Sequence, residues 1–191
     1  MGALCEALLA SAIKTDCAEA VKKGFEQEAV IMNRADIDFS SSTLADNSVS
    51  IVLKSGKTGY ACYQYGNDPY TGTKSTFVEG TYFNTWTHVL ALVVPEEGSL
   101  VAKNIIDKLA QGEFVVVVRN KYQKATESED GYKAFRVYGW ENGLRCTASE
   151  QDKYSDDTHG GFSFELTEEG AQYSEIFLSS DEDTAFEALL G

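Results

Sequence analysis

The chain has 191 residues, 43% of them hydrophobic and 24% charged, with ten Tyr, ten Phe and two Pro. A single domain of that length buries roughly 70% of its unfolded surface, so a packed core is expected without covalent staples. The formal net charge is −14, the wrong sign for a protein that grips nucleic acid through its phosphates, and the longest apolar stretch, Val89 to Pro95, falls well short of a membrane span.

Charge is unevenly spread: residues 149–191 hold 12 acids against Lys153 alone. Tight binding of DNA or RNA is therefore not expected, and a surface that lets polyanions pass without sticking is compatible with this charge. Lys14 is the first positive side chain, which leaves no basic start for a secretory leader. Glu6 stands where a myristoylation start wants Ser or Thr. Synthesis in the cytoplasm with no membrane anchor is the expectation. Cys5, Cys17, Cys62 and Cys146 are widely separated and form no C-x-x-C pair, which argues for buried thiols rather than a zinc or disulfide framework.

Along the chain, residues 2–14 repeat Leu4, Leu8, Leu9, Ala12 and Ile13 at helical spacing. Asp16 then reads as an N-cap for a short helix from Cys17 to Lys23, closed by Gly24. Residues 1–24 are thus expected as a helical arm, and 25–191 as one domain. From Glu28 the signal turns to strands. Ala29–Met32 is one, residues 38–48 a Ser-rich loop, and Val49–Leu53 with Tyr60–Tyr65 a hairpin around Lys54–Lys57. Residues 66–75 are rich in turn formers and read as a surface loop. Phe77–Val94 is the longest strand candidate, with apolar residues on both faces.

The clearest helix covers 99–112, with Ser99 as its cap and Val101, Ile105 and Leu109 as its stripe. Phe114–Val118 is a continuous apolar strand that pairs back with Tyr132–Val137, which makes a protruding hairpin around 119–132. Gly139–Gly143 turns the chain into a strand from Leu144 to Ala148. The acidic loop Glu150–Gly161 leads to a strand at Phe162–Leu166. Ser180–Asp183 opens a short helix, Thr184–Leu190, with Phe186 on its apolar side. The expected fold is mainly β with α, in the α+β class: an antiparallel β-sandwich with one flanking amphipathic helix and short terminal helices.

Candidate chemistry is sparse. Phosphate-binding glycine loops and the G-x-S-x-G elbow do not occur. His88 lies beside Trp86 in a strand, where a packed histidine is expected. Asp152, Asp156, Asp157 and His159 could ligate a metal, but their spacing fits neither a calcium loop nor a zinc site, so no metal and no other cofactor is expected. The aromatics between Tyr60 and Trp86 suit a core or a subunit contact better than a sugar platform. The candidates for subunit contact are Asn120, Lys121, Tyr122 and Lys124 on the long hairpin, together with Tyr70, Trp86 and Phe186.

Several fragments, taken in order, carry a family resemblance. They are Asp16-Cys17, Asn33-Arg34-Ala35-Asp36-Ile37, the aromatic strand from Phe83 to Val93, Lys108 to Gly112, Gly139-Trp140-Glu141-Asn142-Gly143-Leu144 and Asp183-Thr184-Ala185. In this layout the chain resembles the small virion proteins of tailed bacteriophages of the tail-tube and neck-ring type, especially those of crAss-like phages of gut Bacteroidetes. The resemblance implies a structural protein without enzymatic activity. It implies a homo-oligomeric ring in the tail or neck that meets a neighbouring ring, portal or tail protein while DNA passes through the lumen. The alternatives are a carbohydrate-binding β-sandwich, which needs an exposed aromatic platform, and a small hydrolase, which needs a pocket with His88 or His159 beside a nucleophile.

Overall fold

The computed structural model describes Leu9 and residues 11–13, 22–121, 131–182 and 184–191. Leu9 and residues 11–13 are not helical, so the predicted first helix does not include them, nor does the predicted second helix include Lys22 and Lys23; the other residues of the predicted arm up to residue 21 lie outside the described residues, as do Tyr122 and Lys124.

Eleven strands form two sheets among the described residues. The larger contains β1 (Phe25–Asn33), β2 (Thr43–Ala45), β3 (Ser48–Ser50), β4 (Tyr60–Tyr63), β7 (Phe114–Asn120), β8 (Phe135–Tyr138) and β11 (Ile176–Leu178), in the order β2-β3-β11-β8-β7-β1-β4. The smaller contains β5 (Lys74–Val78), β6 (Thr85–Val94), β9 (Arg145–Gln151) and β10 (Phe162–Ala171), in the order β5-β6-β10-β9. Helix α1 spans residues 99–111 and α2 is Thr184–Leu190. The α+β class is as expected. The larger sheet is mixed rather than wholly antiparallel, because β11 runs parallel to β3 with Phe177 opposite Ser48.

Strand β7 organises the core. Its alternate residues face two different apolar layers, which is why its sequence is continuously hydrophobic. Val115 and Val117 point to a layer with Val30, Met32, Phe135 and Val137, which α2 covers with Phe186 and Leu189. Phe114, Val116 and Val118 point to the layer between the sheets, against Leu90, Leu92, Phe164 and Leu166. The expected pairing of Phe114–Val118 with the strand that follows is present, with Val117 opposite Val137.

Three local expectations are corrected. The stretch Phe77–Val94 is two antiparallel strands, β5 and β6, with Phe77 opposite Trp86. The reversal runs through residues 79–84, where Gly80 lies so close to the Phe83 carbonyl that a Cβ would sit 2.1 Å from that oxygen. The predicted hairpin of Val49–Leu53 with Tyr60–Tyr65 is absent, since β3 and β4 lie toward opposite edges of the sheet. The hairpin is β2–β3 instead, with β2 inside the expected loop and β3 overlapping the start of the expected strand Val49–Leu53. Asp46 (φ 49°) and Asn47 (φ 58°) supply its turn, as two residues that tolerate the left-handed region.

The third correction concerns α1. Gly98, not Ser99, is its N-cap, and no side chain caps it. A π-helical turn at Ala102–Ile106 places successive inward residues five apart. Val101, Ile106 and Leu109 therefore pack on the inter-sheet layer, while Ile105 of the expected stripe is exposed.

Candidate functional site

The acidic loop forms no cation cage. The Asp152 carboxylate accepts the Tyr154 backbone N–H at 2.9 Å, closing an Asx turn. Asp156, Asp157 and His159 are exposed. Lys153 leaves the loop to pair with Glu97 at 2.7 Å. Among the described residues no group of three or more His, Cys, Asp or Glu is placed to hold a metal ion.

Two predicted contact residues are core residues. Tyr70 is buried although it sits in a turn-rich segment with φ 59°. Its hydroxyl donates toward the carbonyls of Gln27 and Cys62, each at 3.2 Å, and its ring meets Phe25 edge-on. Burial pushes both the Tyr70 phenol and the Cys62 thiol up from their ordinary values. Phe186 is buried against Phe135 with ring centroids 4.7 Å apart. Both side chains bury their apolar area within the core of their own chain.

The remaining described candidates play local roles. The Asn120 side chain donates to the Lys133 carbonyl at 2.7 Å, which closes the base of the 119–132 connection. The Lys121 ammonium reaches the Asn67 carbonyl at 2.8 Å. Trp86 is half-buried and edge-on to Phe77.

Two buried polar devices were not foreseen. The first joins the sheets at His88. One ring nitrogen, Nε2, lies 3.0 Å from the Tyr173 carbonyl, and the other, Nδ1, lies 2.8 Å from the Ser75 hydroxyl. A carbonyl only accepts, so Nε2 carries a proton, and in the tautomer protonated at Nε2 alone Nδ1 accepts from Ser75. Arg136 in turn donates to Ser75 Oγ at 3.1 Å and pairs with Glu175 at 3.0 Å. A serine beside a histidine is the arrangement of a nucleophilic hydrolase. Here His88 is buried, and neither residue lines the cleft described below. The chain of bonds ties β5 and β6 to β8.

The second device is Glu168, 3% exposed. Its carboxylate accepts the backbone N–H of Gly139 at 2.9 Å and of Asn142 at 2.8 Å. The Gly139–Gly143 turn, legible in the sequence as a turn, is thus held by an anion 26 residues away from Asn142.

Exposed apolar side chains gather in two places at opposite ends of β6. The β5–β6 reversal carries Phe77 (51% exposed), Val78, Tyr82 (89%) and Phe83 (78%). At the other end, a cleft of about 830 Å³ opens between the β4 edge, the end of β6 and α1. Tyr60, Tyr63, Tyr65, Pro95, Ile105 and Lys108 are among its lining residues, and the three tyrosines and Ile105 are exposed. Gln64 holds the cleft floor: its buried side-chain amide accepts from the Val93 N–H at 2.8 Å and donates to the Val93 carbonyl at 2.9 Å. It thereby extends the hydrogen bonding of β6 where β5 has ended. Sequence alternation hinted at the aromatics, but only the reversal at 79–84 separates Tyr82 and Phe83 from the strand.

Comparison of the chain with protein-family models, with curated proteins and with solved structures finds no match.

Proposed function

We propose that this chain is a structural subunit of a tailed-phage virion. It forms a homo-oligomeric ring of the tail tube or portal-proximal neck around the DNA channel and catalyses no reaction. In this reading the two sheets with their flanking helix correspond to the sandwich of tail-tube-like proteins, and the subunit's partners are its own copies and a neighbouring ring, portal or tail protein. The observation that carries the reading is the aromatic reversal at 77–83, where Tyr82 and Phe83 stand almost wholly in water. Large apolar side chains grouped on a protruding tip mark a contact surface. The excess of acids in residues 149–191 supports a surface that polyanions slide past.

Light scattering and native mass measurement over a rising concentration series test the reading. A ring yields one closed species at a fixed multiple of the 20.9 kDa chain mass. A chain that stays at 20.9 kDa up to millimolar concentration refutes it.

A second reading has one specific observation in its favour. Tyr63 and Tyr65 are exposed beside the cleft with their rings 5.6 Å apart, and exposed aromatic rings of this kind stack on sugar rings. Saturable glycan binding by the monomer, lost in Tyr65→Ala, would favour a carbohydrate-binding module over a ring subunit.

A further inference from the structure

We propose that the cleft between β4, the end of β6 and α1 binds a short, neutral oligosaccharide. The inference rests on the carbohydrate reading of this cleft, not on self-association, and it assigns the ligand class and the residues that would hold it.

Two walls turn side chains out of the core and into the cleft. Strand β4 is an edge of the larger sheet. Tyr60 stands opposite Ile31, and Cys62 opposite Ala29; Ala29, Ile31 and Cys62 all belong to the layer between the sheets. Paired residues share a face and side chains alternate along a strand. Tyr60 therefore continues that layer into the cleft, where it is 60% exposed. On the other wall, the π-turn of α1 keeps Val101, Ile106 and Leu109 in the core and turns Ile105 outward. Such turns are frequent at functional sites. Asn104, Lys108 and Gln111 line the cleft beside Ile105, on neighbouring turns of one helix face. The floor holds no open polar group at Gln64, because its amide and the Val93 backbone satisfy each other.

The chemistry of these walls selects the occupant. A cleft of about 830 Å³ has the size of a small-molecule site, about 300–1,000 Å³. Tyr60 and Ile105 give it apolar surface. Glu96 at its rim accepts hydrogen bonds, Lys108 donates them, and the amides of Asn104 and Gln111 do both. All four polar side chains are exposed, so they meet water that ligand hydroxyls can replace. Glu96 and Lys108 cancel in charge, and the chain carries −14 overall, so an anionic ligand gains no attraction here. A wholly apolar ligand would strip water from the polar rim and return no hydrogen bonds. A neutral sugar meets both demands: its hydroxyls donate and accept, and its C–H face lies against an aromatic ring.

Calorimetric titration of the full chain with the trisaccharides of glucose, mannose, xylose and N-acetylglucosamine tests this, with a sulfated oligosaccharide as the anionic control. At least one neutral trisaccharide is expected to bind saturably. Tyr60→Ala and Asn104→Ala should each weaken that binding about tenfold or more, and Tyr82→Ser, at the far end of β6, should leave it unchanged. Tyr60, Tyr82 and Asn104 are exposed, and circular dichroism checks that each variant folds. Binding that survives Tyr60→Ala and Asn104→Ala but is lost in Tyr65→Ala overturns the cleft placement and leaves the carbohydrate reading standing. Tighter binding of the sulfated control overturns the neutral class. No binding of any trisaccharide up to about 10 mM overturns both the inference and the carbohydrate reading.

Discussion

Replacing Glu168 probes how far one buried anion holds the fold together. Its carboxylate is 3% exposed and accepts two backbone N–H groups, from Gly139 and Asn142. Each bond to a charged acceptor contributes about 1.5–3 kcal/mol, and a buried donor left without a partner costs about 1–3 kcal/mol. Glu168→Ala removes both bonds at once and is expected to lower stability by about 3–5 kcal/mol, a large share of the ~5–15 kcal/mol of an ordinary domain. Glu168→Gln keeps the shape and one acceptor but aims an amide N–H at a backbone N–H, so it should cost about 2–3 kcal/mol. The turn itself is sensitive in the same way. Gly139 has φ 82°, and a Cβ there would sit 2.4 Å from the Phe114 carbonyl. Gly139→Ala should therefore destabilise, and because it disturbs the same turn its effect should not add fully to that of Glu168→Gln. Equilibrium urea unfolding, followed by the fluorescence of Trp140 in the turn, measures all of these. A Glu168→Gln protein within about 0.5 kcal/mol of the parent, the range of an ordinary surface change, would refute the claim that the carboxylate organises this turn.

Two further outcomes follow from the core. Phe186→Ala should destabilise the isolated monomer by about 3–5 kcal/mol, since it empties the contact with Phe135 under α2; a monomer of unchanged stability would return Phe186 to the surface. Alkaline pH should destabilise the protein, in part through Tyr138, whose phenol burial pushes up to about 12, with the buried Tyr70 phenol acting in the same direction. The unfolded chain loses this proton first, near its ordinary value of about 10, and so binds fewer protons than the native state above that pH. The stability tied to this phenol is intact below about pH 10 and is lost as pH rises toward 12, by about 2–3 kcal/mol. Thermal midpoints against pH, alongside phenolate absorbance, read this directly, and a midpoint flat from pH 10 to 12 would contradict it.

Much of the architecture was legible in short-range pattern. The unbroken apolar run Phe114–Val118 announced a strand buried on both faces. Its pairing with the strand that follows, the turn at Gly139–Gly143 and the helix Thr184–Leu190 all sit where local chemistry puts them. Alternation and turn formers act over a few residues, so they specify elements well.

What local pattern leaves open is which elements meet. Phe77–Val94 carries strand-forming residues throughout, and only the close backbone approach at Gly80 and the pairing of Phe77 with Trp86 break it into two strands. Tyr70 looks like a loop residue until the distant carbonyls of Gln27 and Cys62 receive its hydroxyl. The π-turn in α1 moves the buried face from Ile105 to Ile106, a shift of one residue that periodicity does not register. The exposed tip and the cleft exist because β6 carries them to opposite ends of one strand. Sequence alone determined the kinds of elements and the acidic character of the chain. The tertiary structure decided which aromatics are core and which are surface, because burial depends on partners that are remote in sequence and close only after folding.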